Sequence, residues 1–330
     1  MHYRHLGRAG VQVSEIAYGS WITAGGQYAA EASIACHERA YELGINCFDT
    51  ADVYNAGQAE TIVGRVLKSI PRRSIVLATK CHGRMGEGVN DRGTSRKHVR
   101  EACEASLARL DVEYIDVYQA HSYDAETPIE ETCRAFDDLI RQGKILYWGV
   151  SNWGVRQVAE AAAVCARRGY DAPVSHQPRY NLFAREIEAD LMPLCKQHGL
   201  GFIVYSPLAQ GLLTGKYANG TIPAGSRAEK SDNFKDRHLT AYNLAAVQEL
   251  QSLASECALS VSQLALAWVL RRDELSAAIV GASRPEQLDE TVKAAGVKLD
   301  EATQQKIEKI LNRRRAAVHD EDAAKLRTEK

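Results

Sequence analysis

Asp49, Tyr54, Lys80 and His121 are the residues of this 330-residue chain whose types and surroundings could do chemistry together. Each stands at or just past the end of a strand-like apolar run: Asp49 after 45–48 with Tyr54 five residues on, Lys80 after 75–78 and Thr79, and His121 after 115–118 and Gln119-Ala120. A carboxylate, a phenol, an ammonium and an imidazole make a proton-transfer set. Tyr has an ordinary pKa of about 10 and is a poor acid near neutrality unless a cation favours the phenolate. Lys80 can supply that cation and so hold the Tyr54 pKa within reach of neutrality. A Lys buried at such a place loses its proton unless a carboxylate pairs it, and Asp49 is the available partner. His121 is then placed to orient or polarise a substrate oxygen. None of these side chains gives up electrons, so carbonyl reduction by this set needs a hydride from a cofactor.

Elements that can bring the four together follow from eight strand-like runs: 15–18, 45–48, 75–78, 115–118, 145–150, 173–176, 201–204 and 277–280. The first seven advance by about 30 to 40 residues each, the length of one strand, one helix and two short loops. The intervening segments carry helical periodicity with start and stop signals, as in Ser95-Arg96-Lys97-His98-Val99 leading to Leu110, or Pro128-Ile129-Glu130-Glu131 leading to Gly143. This α/β pattern predicts a (β/α)8 TIM barrel, whose chemistry gathers at the C-terminal ends of the strands. Only the seventh interval is abnormal. Residues 206 to 276 open with Gly, Pro and Ser, then hold helical patterns near 244–258 and 261–271, so extra helices are expected in a long loop after strand seven. Residues 3–6 and 11–13 read as an N-terminal hairpin around 7–10, and about 313–330 as a charged C-terminal tail, solvated helix or frayed end. The expected organisation is a single barrel domain over 1–330.

Composition bounds the function classes. With 45% hydrophobic and 25% charged residues the chain can bury a large core. Lys and Arg number 41 against 42 Asp and Glu, a net charge of −1, which removes the electrostatic case for nucleic acid or an anionic membrane as main partner. The eight cysteines are scattered without a Cys-x-x-Cys pair, and Met1-His2-Tyr3-Arg4-His5 lacks the apolar run of a secretory leader, so a reduced, cytoplasmic protein is expected. His82, His98, Cys81 and Glu101 do not fall at the spacing of a regular ligand set, so no metal is expected. No Gly-x-Gly-x-x-Gly follows the first strand, and the stretch from Gly211 to Tyr217 is one residue short of a phosphate loop, so neither a Rossmann nor a Walker site is supported.

With these residues in place the chain resembles the aldo-keto reductases, and within them the branch that holds the potassium-channel β-subunits and their bacterial relatives. The resemblance spans about residues 3 to 311. It rests on Gly44-Ile45-Asn46-Cys47-Phe48-Asp49-Thr50-Ala51, on Tyr147-Trp148-Gly149-Val150-Ser151-Asn152-Trp153, on Tyr205-Ser206-Pro207-Leu208 running to Gly215-Lys216-Tyr217, and on Gly281-Ala282-Ser283. It implies NADPH-dependent reduction of aldehydes or ketones, with Tyr54 as general acid, Lys80 and Asp49 tuning it, and His121 orienting the carbonyl. The channel subunits carry Asn where this chain has His121, which favours a working enzyme over the alternative the resemblance also allows, an NADP(H)-binding regulatory or redox-sensor subunit with slow residual reductase activity.

The same resemblance implies a dinucleotide site. Ser151, Asn152 and Gln177 offer donors and acceptors to a carboxamide, and Tyr205 offers a ring for stacking. Ser206, Pro207, Leu208, Ala209, Gln210 and Gly211 let backbone amides approach a pyrophosphate, with Lys216 and Arg227 as nearby charges. Gly281, Ser283 and Arg284 lead into a helix started by Pro285, which favours the 2′-phosphate of NADP, and Gln287 and Glu290 match the adenine side, with Thr291 where relatives often have Asn. Ser20, Trp21, Gln27 and Asp49 complete the implied contacts. Trp21, Tyr54 and His121 are expected to line the substrate pocket, with Tyr28 and Trp153 as further candidates. The expected partner is a small carbonyl compound, together with a possible homo-oligomer.

Overall fold

The computed structural model describes residues 1–21 and 30–328. An antiparallel hairpin of β1 (Tyr3–His5) and β2 (Gln12–Ser14) precedes β3 (Ile16–Gly19), β4 (Cys47–Asp49), β5 (Val76–Cys81), β6 (Ile115–Ala120), β7 (Ile145–Ser151), β8 (Ser175–Gln177), β9 (Gly201–Val204) and β10 (Leu275–Val280). The last eight pair in parallel, in chain order, and β10 returns to pair with β3, closing a barrel. Each of the eight coincides with a strand-like run in the sequence. β4 begins later than its run because Ile45 gives its N–H to the Ala40 carbonyl (3.0 Å) and Asn46 accepts from Ser14 N–H (2.7 Å) of the hairpin. β8 begins later because Pro173 has no N–H to give to the ladder.

Small and branched residues fill the barrel interior, among them Ala17, Cys47, Val76, Ala78, Val117, Ile203, Ala277 and Ile279, and the hairpin's Leu6 and Val13 close it from below. Arg4 fastens that hairpin. Its guanidinium bonds Glu15 (2.6 Å) and the carbonyls of Leu270 (2.8 Å), Arg272 (3.0 Å) and Leu275 (2.9 Å), placing a cation on the C-terminal end of the helix Val261–Leu270. At Gly7 the turn is left-handed (φ 59°) and a Cβ would lie 2.2 Å from the Gly199 carbonyl, so no side chain fits.

Helices surround the barrel and pack a second core against its outer face. Helix Arg96–Leu110 starts where Ser95 Oγ accepts the His98 N–H (3.2 Å), and helix Ile129–Arg141 turns Phe136 inward to stack on Trp148 at 4.9 Å. The long loop after the seventh barrel strand holds the expected helices, Ala241–Glu256 and Val261–Leu270, the second begun by a capping box between Ser260 and Gln263. It also holds a 3₁₀ turn, Ala209–Thr214, and two short helices, Arg227–Lys230 and Asp232–His238, which the sequence did not announce. Their charged residues show no apolar period because each buries one residue only, Ala228 and Phe234. The expected tail continues as the helix Glu301–Thr328; Arg314 bonds Asn243 Oδ1 (2.6 Å) and lies over Phe183, while its neighbours Arg313 and Arg315 are exposed. No single described helix is long and apolar enough to cross a membrane.

Candidate active site

Tyr54 owes its position to a short, strained turn. Beyond β4 the backbone keeps pairing with β5, Thr50 N–H to Ala78 O (2.9 Å) and Asp52 N–H to Lys80 O (3.1 Å). It then reverses through left-handed Asn55 (φ 48°), Ala56 (φ 50°) and Gly57 (φ 87°). Left-handed Ala is uncommon, and such strain concentrates at functional sites. The turn sets the Tyr54 hydroxyl 3.4 Å from Lys80 Nζ. Lys80, wholly buried on β5, donates its other protons to Asp49 Oδ1 (2.7 Å) and the Thr50 carbonyl (2.6 Å), so all three ammonium donors are used. Asp49 Oδ2 accepts from Gln177 Nε2 (2.8 Å). The His121 ring stands edge-on to Tyr54 with centroids 5.6 Å apart.

Burial and charge oppose each other here. Burial works against the Lys80 ammonium, but Asp49 and Tyr54 more than offset it and its pKa rises. For Tyr54 the sequence expectation is corrected: burial pushes the phenol up, Lys80 pulls it down, and the balance is upward. Lys80 makes its short contact with Asp49, not with the phenol, and Asp49 itself opposes the phenolate. Tyr54 is therefore a firmly protonated phenol with a cation ready for its conjugate base. His121 is held down to about 3 by burial, with Lys80 and His82 adding to it, and stays a neutral imidazole. Burial also pushes the Cys81 thiol up, so it is no nucleophile.

A pH dependence of stability follows. Burial holds His37 and His176 down to about 4, beside His121 at about 3, all from an ordinary 6.5. Below pH 6.5 the unfolded chain takes protons that the folded chain refuses. Stability is thus complete above 6.5 and falls as pH drops toward 4, by about 1.4 kcal/mol per pH unit for each histidine. Asp52, pushed up to about 7 by burial and by Glu60, works in the opposite sense over the same window and offsets one of these three histidines, while burial lowers His82, His98 and His238 in the histidine sense. Urea midpoints should fall between about pH 6.5 and 5; a midpoint that is flat or rises on acidification contradicts these assignments.

Above the four residues opens a cleft of about 1330 Å³ across the C-terminal face. Asp49, Tyr54 and His121 line it, with Trp21, Ser151, Asn152, Gln177, Tyr205, Ser206, Pro207, Leu208, Gln210, Gly211, Lys216, Arg227, Gly281, Ser283, Arg284, Gln287 and Glu290. Ser20 and Ala209 are buried beside it, and Lys80 is buried beneath it. Gln27 and Tyr28 lie outside the described residues. Trp153 is buried against Tyr123 and lines a smaller neighbouring cavity of about 540 Å³ instead. The cleft also takes in Arg179 and residues 223–226, which no sequence motif marked; Arg179 follows Gln177 by two residues, the only hint available. Trp21 is half exposed, and the Arg227 guanidinium lies 5.1 Å from its ring centre, so the long loop reaches across to the opposite rim.

The donor set suits a dinucleotide. Ser206 (φ 53°), Ala209 (φ 47°), Gln210 (φ 58°) and Gly211 (φ 101°) crowd left-handed backbone into one loop, the kind of bend that turns amides toward an anion. Lys216, Arg227, Arg284 and Arg179 give the cleft its cations, whereas its carboxylates are engaged, Asp49 by Lys80 and Glu290 by Ser260 Oγ (2.6 Å). Ser151 Oγ donates to the Gln177 carbonyl (2.8 Å), and Tyr205 OH donates to Asn152 Oδ1 (2.9 Å), which fixes the ring and the amide side by side. The helix after Arg284 begins at Glu286, as expected from Pro285, and Gln287 reaches back to accept the Ser283 N–H at 2.8 Å. Among the described residues no three His, Cys, Asp or Glu side chains gather as a metal site.

Residues 15–312 match the family model described as the Aldo/keto reductase family. A protein of Oryza sativa subsp. japonica named "Probable voltage-gated potassium channel subunit beta" is 42% identical over 302 residues, covering 90% of this chain and 92% of that protein. One of the same name from Arabidopsis thaliana is 41% identical over 302 residues, with the same 90% and 92% coverage.

Proposed function

The chain belongs to the aldo/keto reductase family, and from that premise we propose that it reduces aldehydes or ketones to alcohols with NADPH. The observation that carries the reading is the buried Lys80 ammonium shared between Asp49 (2.7 Å) and the Tyr54 hydroxyl (3.4 Å) at the floor of the cleft, beside a neutral His121. NADP(H) supplies the hydride. Ser151, Asn152, Gln177 and Tyr205 would hold its nicotinamide end, the loop 206–211 with Lys216 and Arg227 would take the pyrophosphate, and Ser283, Arg284, Gln287 and Glu290 would take the adenosine 2′-phosphate end, all of them lining the cleft or buried beside it.

The residues divide the remaining work. His121, neutral, donates an N–H to the carbonyl oxygen and fixes its place. Tyr54 gives its hydroxyl proton to that oxygen as negative charge gathers on it. A phenol with a raised pKa is still far more acidic than an alcohol, so the transfer runs downhill. Lys80 stabilises the phenolate that remains, Asp49 keeps Lys80 charged, and Gln177 holds Asp49 in register. The half-exposed Trp21 lines the cleft beside Tyr54 and His121, where a small carbonyl compound would sit. Eight unpaired cysteines, seven of them buried, suit the reducing conditions of the cytoplasm.

NADPH oxidation over a panel of aliphatic, phosphorylated and aromatic aldehydes, run beside NADH, tests the proposal. Turnover that prefers NADPH supports it. The names of the relatives favour a second reading, a regulatory subunit that binds NADP(H) and turns over slowly. Slow turnover on every carbonyl, with tight NADPH binding and a stable complex with a partner protein, would replace the first reading by the second.

A further inference from the structure

Behind the Tyr54 turn lies a second group of buried charges that the proposed chemistry does not use. Asp52 is wholly buried, two residues before Tyr54; its Oδ1 accepts the Val53 N–H at 2.6 Å while its own N–H is held by the Lys80 carbonyl at 3.1 Å. Its Oδ2 is buried without a hydrogen-bond partner. Glu60 and Arg109 face it from two helices, Lys80 and Cys81 from β5, and Tyr118 from β6. Glu60 is also wholly buried and accepts from Thr79 Oγ1 (2.6 Å) and Arg109 Nε (2.7 Å). Arg109 in turn lies on the turn itself: a Cβ on Gly57 would stand 2.8 Å from its Cδ. Two buried carboxylates thus lie at the back of the segment that carries Tyr54, and the arginine there bonds Glu60 and reaches Asp52 only through its field.

Resting on the reading of Tyr54 as the acid, we infer that Asp52 is a positioning residue. Its carboxylate fixes the turn that brings Tyr54 to the Lys80 ammonium, and its protonation slackens that turn. The bond from Val53 N–H to an ionised oxygen is charge-assisted and about twice as strong as one to a neutral acid. The proton enters at Oδ2, which has no bond to lose. Burial and Glu60 push the Asp52 carboxyl up to about 7, so the change falls within the physiological range. The carboxylate form, above that pH, is the better catalyst, and kcat/KM falls as pH drops through about 7.

Asp52→Asn keeps a neutral acceptor for Val53 and cannot titrate. With an aldehyde turned over in the NADPH assay, the variant should run about fivefold below the wild type at pH 8 and converge with it at pH 6, its own profile flat between them. The Tyr54 ring signal by NMR should shift with the same midpoint in the wild type and not in the variant. A wild-type profile or ring signal that does not change between pH 8 and 6, or an Asp52→Asn profile of wild-type shape, overturns the inference. If Asp52→Asn does not fold, Glu60→Gln serves instead, because removing the neighbouring carboxylate should move the midpoint to lower pH, and an unmoved midpoint overturns the inference equally. Activity retained in Tyr54→Phe would instead defeat the reading beneath it, and the ring signal still reports on Asp52 if no aldehyde is turned over.

Discussion

Tyr54→Phe is expected to fold as the wild type does and to bind NADPH with unchanged affinity, while losing turnover by about 10²- to 10⁴-fold. The hydroxyl contributes one long contact, 3.4 Å to Lys80, and Lys80 keeps its shorter bonds to Asp49 and the Thr50 carbonyl without it. The Phe ring can keep the edge-on packing with His121. What disappears is the proton. Single-turnover oxidation of NADPH with a fluorescence titration of its binding checks both halves, and a variant within a few-fold of the wild type refutes the role given to Tyr54.

The second large effect is on stability. Lys80→Met leaves Asp49, 5% exposed, as a buried carboxylate whose remaining side-chain bond is to Gln177. Removing one partner of a buried pair typically costs about 3 to 5 kcal/mol because the other charge is stranded, whereas removing both often costs little. Lys80→Met should therefore lower the unfolding free energy by about that amount, and adding Asp49→Asn should recover most of it. Activity should be lost in both. Urea unfolding of the two single variants and the double variant tests the pair, and a Lys80→Met protein as stable as the wild type would show that Asp49 does not depend on the ammonium.

Much of the barrel was legible because parallel strands buried on both faces read as apolar runs, and the polar residue that ends each run marks the C-terminal rim where Asp49, Lys80 and His121 sit. Tyr54 was legible through its distance from Asp49 and the family resemblance, but its turn was not. Asn55 and Gly57 hint at left-handed backbone there, but Ala56 between them does not, and Arg109, far along the chain, packs against the turn at Gly57 while pairing with Glu60 just beyond it. The direction of the Tyr54 pKa escaped for the same reason, since burial of the phenol is set by packing, and packing outweighed the one cation that could be read. Asp52 looks in sequence like any loop Asp, and only the fold buries it beside Glu60. Arg179 and the short helices from Arg227 on carry no apolar period to announce them, and the cap bond there, Phe234 N–H to Ser231 Oγ, stands before a helix of seven residues.

The central claim is that this chain passes a hydride from NADPH to a carbonyl carbon at the floor of the cleft. Deuterated NADPH tests it most directly, with mass spectrometry of the products formed from the aldehyde panel. Deuterium on the carbinol carbon of at least one product, formed by the wild type and about 10²- to 10⁴-fold more slowly by Tyr54→Phe, is the result predicted. No deuterated alcohol from any carbonyl, with NADPH bound tightly throughout, would contradict it.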